Sequence, residues 1–217
     1  MKATVPTRKK IKLKWFKSKC KFNIDRKIEV QYTANSVSSN KLTWEAVIKY
    51  ILVKEGENVD LPTNSPMTLY KNNLPFLFLN TAESIGNKII SEELIDDDII
   101  INDDIVQIEE GEPKITFEDA IEPKEHIEVR TSFDKISRKI NIENKLNYPI
   151  ELVLDFKQTK EVTFIKSEPE PSEIEEPNYK FKLSIPPEGS SKVALELQAK
   201  IVKRVTKIKP EFLKKFK

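Results

Sequence analysis

The chain has 217 residues, 33% of them charged, with 37 Lys plus Arg against 35 Asp plus Glu, and it carries one cysteine, one histidine and four glycines. At this length roughly 70% of the unfolded surface can be buried, so a core needs no covalent staples; Cys20 alone excludes an intramolecular disulfide, and Cys20 with His126 falls short of a structural zinc set. Apolar runs such as Leu74 to Leu79, interrupted by Pro75, fall far short of the roughly 18 residues of a membrane helix, and the lysine-studded N-terminus holds no signal core, so a cytoplasmic protein is expected.

In chain order, Lys10-Ile11-Lys12-Leu13-Lys14-Trp15 alternates, which puts Ile11, Leu13 and Trp15 on one strand face and the lysines on the other. The lysines shift parity at Lys17, Lys19 and Lys21, so this strand must end or bulge near Trp15-Phe16. A second strand carries Ile28, Val30 and Tyr32. Residues 42 to 53 fit two periods. Trp44, Val47, Ile48 and Ile51 match a helical stripe with Thr43 as N-cap and Gly56 as stop, whereas Leu42, Trp44, Ala46, Ile48, Tyr50 and Leu52 alternate. The β-branched and aromatic content favours the strand.

Short runs follow at Thr68 to Tyr70, Pro75 to Asn80, Lys88 to Ile90, Ile99 to Ile101, Ile105 to Ile108 and Ile115 to Phe117, separated by Asn, Asp, Gly or Pro. Such spacing predicts a sandwich or barrel. From Glu125 onward the strands expected are His126 to Phe133, Arg138 to Asn144, Pro149 to Phe156, Glu161 to Ile165, Tyr179 to Ile185 and Ser191 to Val205. Pro186-Pro187 with Gly189 marks a firm turn, and Ser167 to Asn178 reads as an acidic loop. Lys209 to Lys217 is expected to form a short helix after Pro210, with Phe212, Leu213 and Phe216 on one side. The expected fold is therefore all-β, with two β-sandwich domains, 1–121 and 122–217, divided near Ile121-Glu122-Pro123-Lys124.

Charge is partitioned along the chain. Residues 1–27 hold eleven Lys or Arg and only Asp25 as an acid, residues 83–128 hold sixteen acids against three lysines, and residues 200–217 hold eight basic residues against Glu211. Such blocks set up local fields that can meet one another, within a molecule or between copies, or can attract an anionic partner. The candidate contacts for nucleic acid or another anionic partner are Lys9, Lys10, Lys12, Lys14, Lys17, Lys19, Lys21, Lys214 and Lys215. An acidic partner surface is expected at Asp96, Asp97, Asp98, Asp103 and Asp104. Trp15 shares parity with Ile11 and Leu13, which assigns the indole to a core in preference to base stacking.

Catalytic constellations do not assemble. The only imidazole, His126, alternates with acids as a strand residue, and nucleophilic triads need a base beside the nucleophile. Gly56, Gly86, Gly111 and Gly189 lie too far apart for a phosphate loop. Carboxylate pairs are available between Asp96 and Asp104, but the run lacks the spacing that bends a loop around calcium. Cys20, between Lys19 and Lys21, has no resolving cysteine. No metal and no cofactor is expected.

The stretch Lys139-Ile-Asn-Ile-Glu-Asn-Lys-Leu-Asn-Tyr-Pro-Ile150, followed by Phe181-Lys-Leu-Ser-Ile-Pro-Pro-Glu-Gly189 and a long closing strand, resembles the C-terminal β-sandwich of mucoidy-inhibitor-A-like proteins over about 80 residues. Leu42-Thr-Trp-Glu-Ala46 is similar to a Trp-containing strand of the preceding domain in that family. The resemblance implies an immunoglobulin-like C-terminal domain and no catalytic residues. The function expected is a non-enzymatic structural or adaptor subunit that binds a protein partner or its own copies through β edges and charged termini. A nucleic-acid-associated protein with a basic arm, such as a small capsid protein or ribosome-bound factor, is the alternative, and an enzyme with an acidic site is the third reading.

Overall fold

A computed structural model describes residues 20–54, 64–71 and 74–209. Among them all regular elements are strands, and none is a helix. They are β1 (Cys20–Val30), β2 (Lys41–Trp44), β3 (Ala46–Lys54), β4 (Pro66–Lys71), β5 (Leu74–Ile85), β6 (Lys88–Ser91), β7 (Leu94–Ile95) and β8 (Ile99–Glu109). There follow β9 (Lys114–Asp119), β10 (Glu125–Asn144), β11 (Ile150–Lys157), β12 (Val162–Glu168), β13 (Glu173–Glu175), β14 (Asn178–Ile185) and β15 (Ser190–Ile208). The strand expected at Ile11 to Trp15 lies outside the described residues, as does the terminal helix beyond Lys209.

Contacts divide the chain into two compact units, Met1–Ile24 with Lys49–Glu92 and Asp25–Ile48 with Glu93–Lys217. The boundary expected at Ile121 to Lys124 falls inside the second unit. β9 and β10, on either side of it, pair from Lys114 opposite Thr131 to Asp119 opposite His126. Pro123 and its acidic neighbour have the composition of a linker, but the segment is a turn closed by the Glu125 N–H on the Glu122 carbonyl at 3.0 Å.

In the first unit β4, β5 and β6 form an antiparallel meander, and Ile51 to Val53 of β3 pairs with β6. The β5–β6 hairpin turns on Gly86-Asn87 with Gly86 at φ 57°, as a two-residue loop requires. Leu69 and Leu79 are buried, whereas Leu74, Phe76 and Phe78, which share one face of β5, are exposed.

The second unit packs two sheets around one core. In one sheet β13, β14, β11 and β1 lie side by side, with Lys27 to Val30 of β1 parallel to Val153 to Phe156 of β11. In the other the order is β12-β15-β10-β8-β2, with β9 also on β10. Period-2 alternation explains the core: Ile28, Leu154, Phe156 and Phe181 from the first sheet join Ile136, Ile140, Leu195 and Leu197 from the second. Full burial of each such side chain contributes about 1.5–3 kcal/mol.

Residues 42 to 53 are strand, and the helical stripe is not realised. Glu45 interrupts them, because β2 pairs with β8 in the second sheet while Val47 and Ile48 of β3 pair with β7 in the first. Ala46 and Ile48 remain buried, with Trp44 partly so, and the alternation therefore survives the crossing between sheets. The Pro186 to Gly189 turn forms as expected. Asn144, 2% exposed, donates to the Tyr148 and Pro186 carbonyls at 2.9 and 3.0 Å and accepts from the Leu146 N–H at 2.9 Å, tying two loops together.

Candidate protein interaction surface

The structure separates the residues expected to form charged sites. Lys9, Lys10, Lys12, Lys14, Lys17, Lys19, Lys214 and Lys215 lie outside the described residues, and Lys21 is exposed on β1. The acidic set is not one surface. Asp97 and Asp98 are exposed in the turn before β8, and Asp104 is exposed on β8 opposite Lys41 and Lys139. Asp96 and Asp103, by contrast, are buried. Asp96 Oδ2 accepts from Arg26 Nε at 2.7 Å. Among the described residues no three His, Cys, Asp or Glu gather as a metal site.

Asp103 is the centre of a buried polar knot. Its Oδ2 accepts from Tyr32 Oη at 2.7 Å and from Trp44 Nε1 at 2.9 Å, and its Oδ1 accepts from Arg138 Nε at 2.8 Å. Arg138 Nη1 donates to the Val37 and Ser39 carbonyls, both at 2.8 Å, and Nη2 to the Asp103 carbonyl at 3.1 Å. Both ionic side chains are 0% exposed. Burial pushes the Tyr32 hydroxyl well above its usual range, and the Asp103 charge pushes it further. Through these hydrogen bonds the knot joins β1's exit loop, β2, β8 and β10. Parity foreshadowed it: Asp103 alternates with Ile99 and Ile101, and Arg138 with Ile136 and Ile140.

An open cleft of about 440 Å³ lies between Val106, Lys166, Glu168 and Glu196. Its central acid, Glu196, is already paired with Lys166 and Lys135 at 2.9 and 3.0 Å, which lowers its pKa. This arrangement is a salt-bridged surface.

Within the second unit, a surface that lacks an internal explanation is the far end of the second sheet. β10 and β15 pair without a break from Glu143 opposite Ser190 to Glu125 opposite Ile208. Only the half beyond Ile136 is covered by the core. The other half, with β9 added, is a three-stranded arm in which every residue of β9 is exposed. Continuing the alternation of Ile136 and Ile140 places Ile115, Phe117, Ile201 and Val205 on one face of the arm. Phe133, Ile127, Val202 and Ile208 take the reverse face. Phe117 is 66% and Phe133 55% exposed, so both faces present apolar side chains to water.

Local interactions set the arm's shape without covering it. Glu128 accepts from Arg130 and Lys207, whose hydrogen bonds hold its carboxyl below the usual carboxylate range, Lys207 contributing most. Phe117 meets His126 edge to face at 5.0 Å, which gives the lone histidine a packing role. Arg204 pairs with Glu118 at 3.7 Å. The Gly111 N–H donates to Asp134 Oδ1 at 3.1 Å, and a Cβ there would lie 2.3 Å from the Phe133 carbonyl oxygen. Glycine is therefore required where the β8–β9 connection lies on β10.

The arm also has two open edges of opposite charge. β12 pairs with β15 only as far as Ala199, and among the described residues no strand covers the outer edge of 200–208. Residues 200–209 hold Lys200, Lys203, Arg204, Lys207 and Lys209 and no acid. On the other side, residues 109–122 hold six acids against Lys114, and β9 pairs with β10 alone. Sequence reasoning located the basic and acidic blocks but missed the arm, because alternation does not reveal where a strand leaves its core.

No helix among the described residues is long and apolar enough to cross a membrane. In comparisons with protein families, curated proteins and solved structures, the chain matched none of them.

Proposed function

We propose that the protein is a non-enzymatic structural or adaptor subunit that joins an assembly through the β9–β10–β15 arm. The observation that carries this reading is the arm itself, a ribbon whose two faces both expose large apolar side chains although a packed core is available in the same unit. An isolated ribbon with two wet faces is marginal in water, and covering those faces with protein would remove apolar area from water and fix the strands. The absorption of the paired charges by structural roles, as at Asp103 and Glu196, also supports a non-catalytic part. We further assign the second unit to the immunoglobulin-like sandwiches that residues 139–150 and 181–189 resemble. Its support is the pair of antiparallel-rich sheets around one core and the Pro186 to Gly189 turn.

The test is site-specific photocrosslinking in living cells, with a photoreactive aromatic amino acid at Phe117 or Phe133 and a control at Tyr148, which lies off the arm and is 40% exposed. Protein adducts are expected from the arm positions and not from the control. Equal yields at all three positions would overturn the reading. A second reading, association with nucleic acid, is favoured by the five basic residues and absence of acids over residues 200–209. Its mark is RNA co-purification that falls steeply with salt and is reduced by Lys203→Glu with Arg204→Glu.

A further inference from the structure

We infer that the arm's partner is a second copy of this chain, added head to tail, with the acidic β9 edge of one copy beside the basic β15 edge of the next. The inference rests on the proposed subunit role and names the partner. Three observations support it. Both outer edges of the arm lack a strand neighbour among the described residues, so each presents ladder groups to an incoming strand. Their charges are opposite and outlast the Arg204–Glu118 and Lys207–Glu128 pairs within the arm, which leave Asp119 on β9 and Lys200 and Lys203 on β15. The apolar residues Phe117 and Val205 stand on these same edge strands and are exposed, so strand addition would extend one apolar row across the junction.

The charges also select the kind of symmetry. Lysines on an edge ordinarily keep like edges apart, and a two-fold pairing of β15 with β15 would bring Lys203, Arg204 and Lys207 against themselves. A two-fold pairing of β9 with β9 would oppose Glu118 and Asp119 in the same way. Only unlike edges attract, and unlike edges make a heterologous contact in which each copy keeps one edge open. Such a contact repeats into a ring when its rotation closes and into a filament when it does not. Exposed charge pairs are screened by salt, so association must weaken as ionic strength rises.

The experiment is light scattering of the purified full chain over a concentration series at low and high salt, with two charge-reversal variants. One is Glu118→Lys with Asp119→Lys, and the other Lys203→Glu with Arg204→Glu. Wild type is expected to grow in mass with concentration at low salt and to disperse at high salt, and each variant alone should remain a single chain. Mixing the two variants in equal amounts should restore association, because each then supplies the edge the other needs. A wild-type protein that stays monomeric throughout overturns the inference, as do folded variants that associate alone or a mixture that fails to associate. Should a variant not fold, the salt response of the wild type decides. Arm crosslinks to a different protein, with the purified chain monomeric, would remove the second-copy partner while leaving the subunit role standing.

Discussion

The two halves of β10 share one strand and one ladder with β15, yet they live in different solvents. From Ile136 to Asn144 each inward residue is buried, including Arg138. From Glu125 to Lys135 the same pairing with β15 continues, but there Val129 is buried while Ile115, Phe117, Phe133, Val202, Val205 and Ile208 on and around it are exposed. Ladder hydrogen bonds therefore persist beyond the core that first organised them. Hydrogen bonds replace solvent bonds nearly one for one, so the outer half gains order from the ladder but little net stability until something covers it.

The largest effect expected from breaking this contrast comes from its buried half. Arg138→Ala leaves the Asp103 carboxylate enclosed without its cation, and a loss of about 3–5 kcal/mol in urea unfolding of the second unit should follow. In the exposed half, Gly111→Ala forces a Cβ onto the Phe133 carbonyl and should cost about 1–3 kcal/mol, read as lost amide protection in β9 with the core strands unchanged. Phe133→Ser removes an apolar side chain that is about half exposed, so chemical denaturation should shift by about 1 kcal/mol or less while crosslinking from a probe at Phe117 declines. Glu128 gives the smallest effect. Its pKa is lowered in the folded chain, so its contribution is present above the ordinary value of 4.5 and is lost as pH falls through the lowered one. Amide protection at Glu128 and Lys207 should drop in that acid window, and Glu128→Gln should flatten the response.

Much of the β architecture was legible because alternation is a direct record of which face is buried. The strands around Ile28, Trp44, Leu152, Phe181 and Leu195 all carry it. Two kinds of feature escaped. The strands expected at His126 to Phe133 and Arg138 to Asn144 are one, β10, in which Asp134 accepts from Gly111 and Lys135 pairs with Glu196 where the strand emerges from the core. Asp103 and Asp96 read as surface acids because charge is usually solvated, and their cationic partners, Arg138 and Arg26, are 35 and 70 residues distant. Sequence proximity carries no trace of such a pair. The arm was hidden for a related reason, since strand length and core width are set by different parts of the chain.

The parallel pairing of β1 with β11 has a consequence for biosynthesis. Lys27 to Val30 must wait for Val153 to Phe156 before the sheet that buries Ile28 and Val30 can close. A ribosome adding about 5–20 residues per second would need roughly 6–25 s to supply the missing strand. During that interval the early apolar strand is on offer to chaperones and to neighbouring nascent chains. Emergence of β11 from the exit tunnel is thus the earliest point at which β1 can join its sheet, and a pause in translation placed before it would lengthen the vulnerable period without changing one residue of the finished protein.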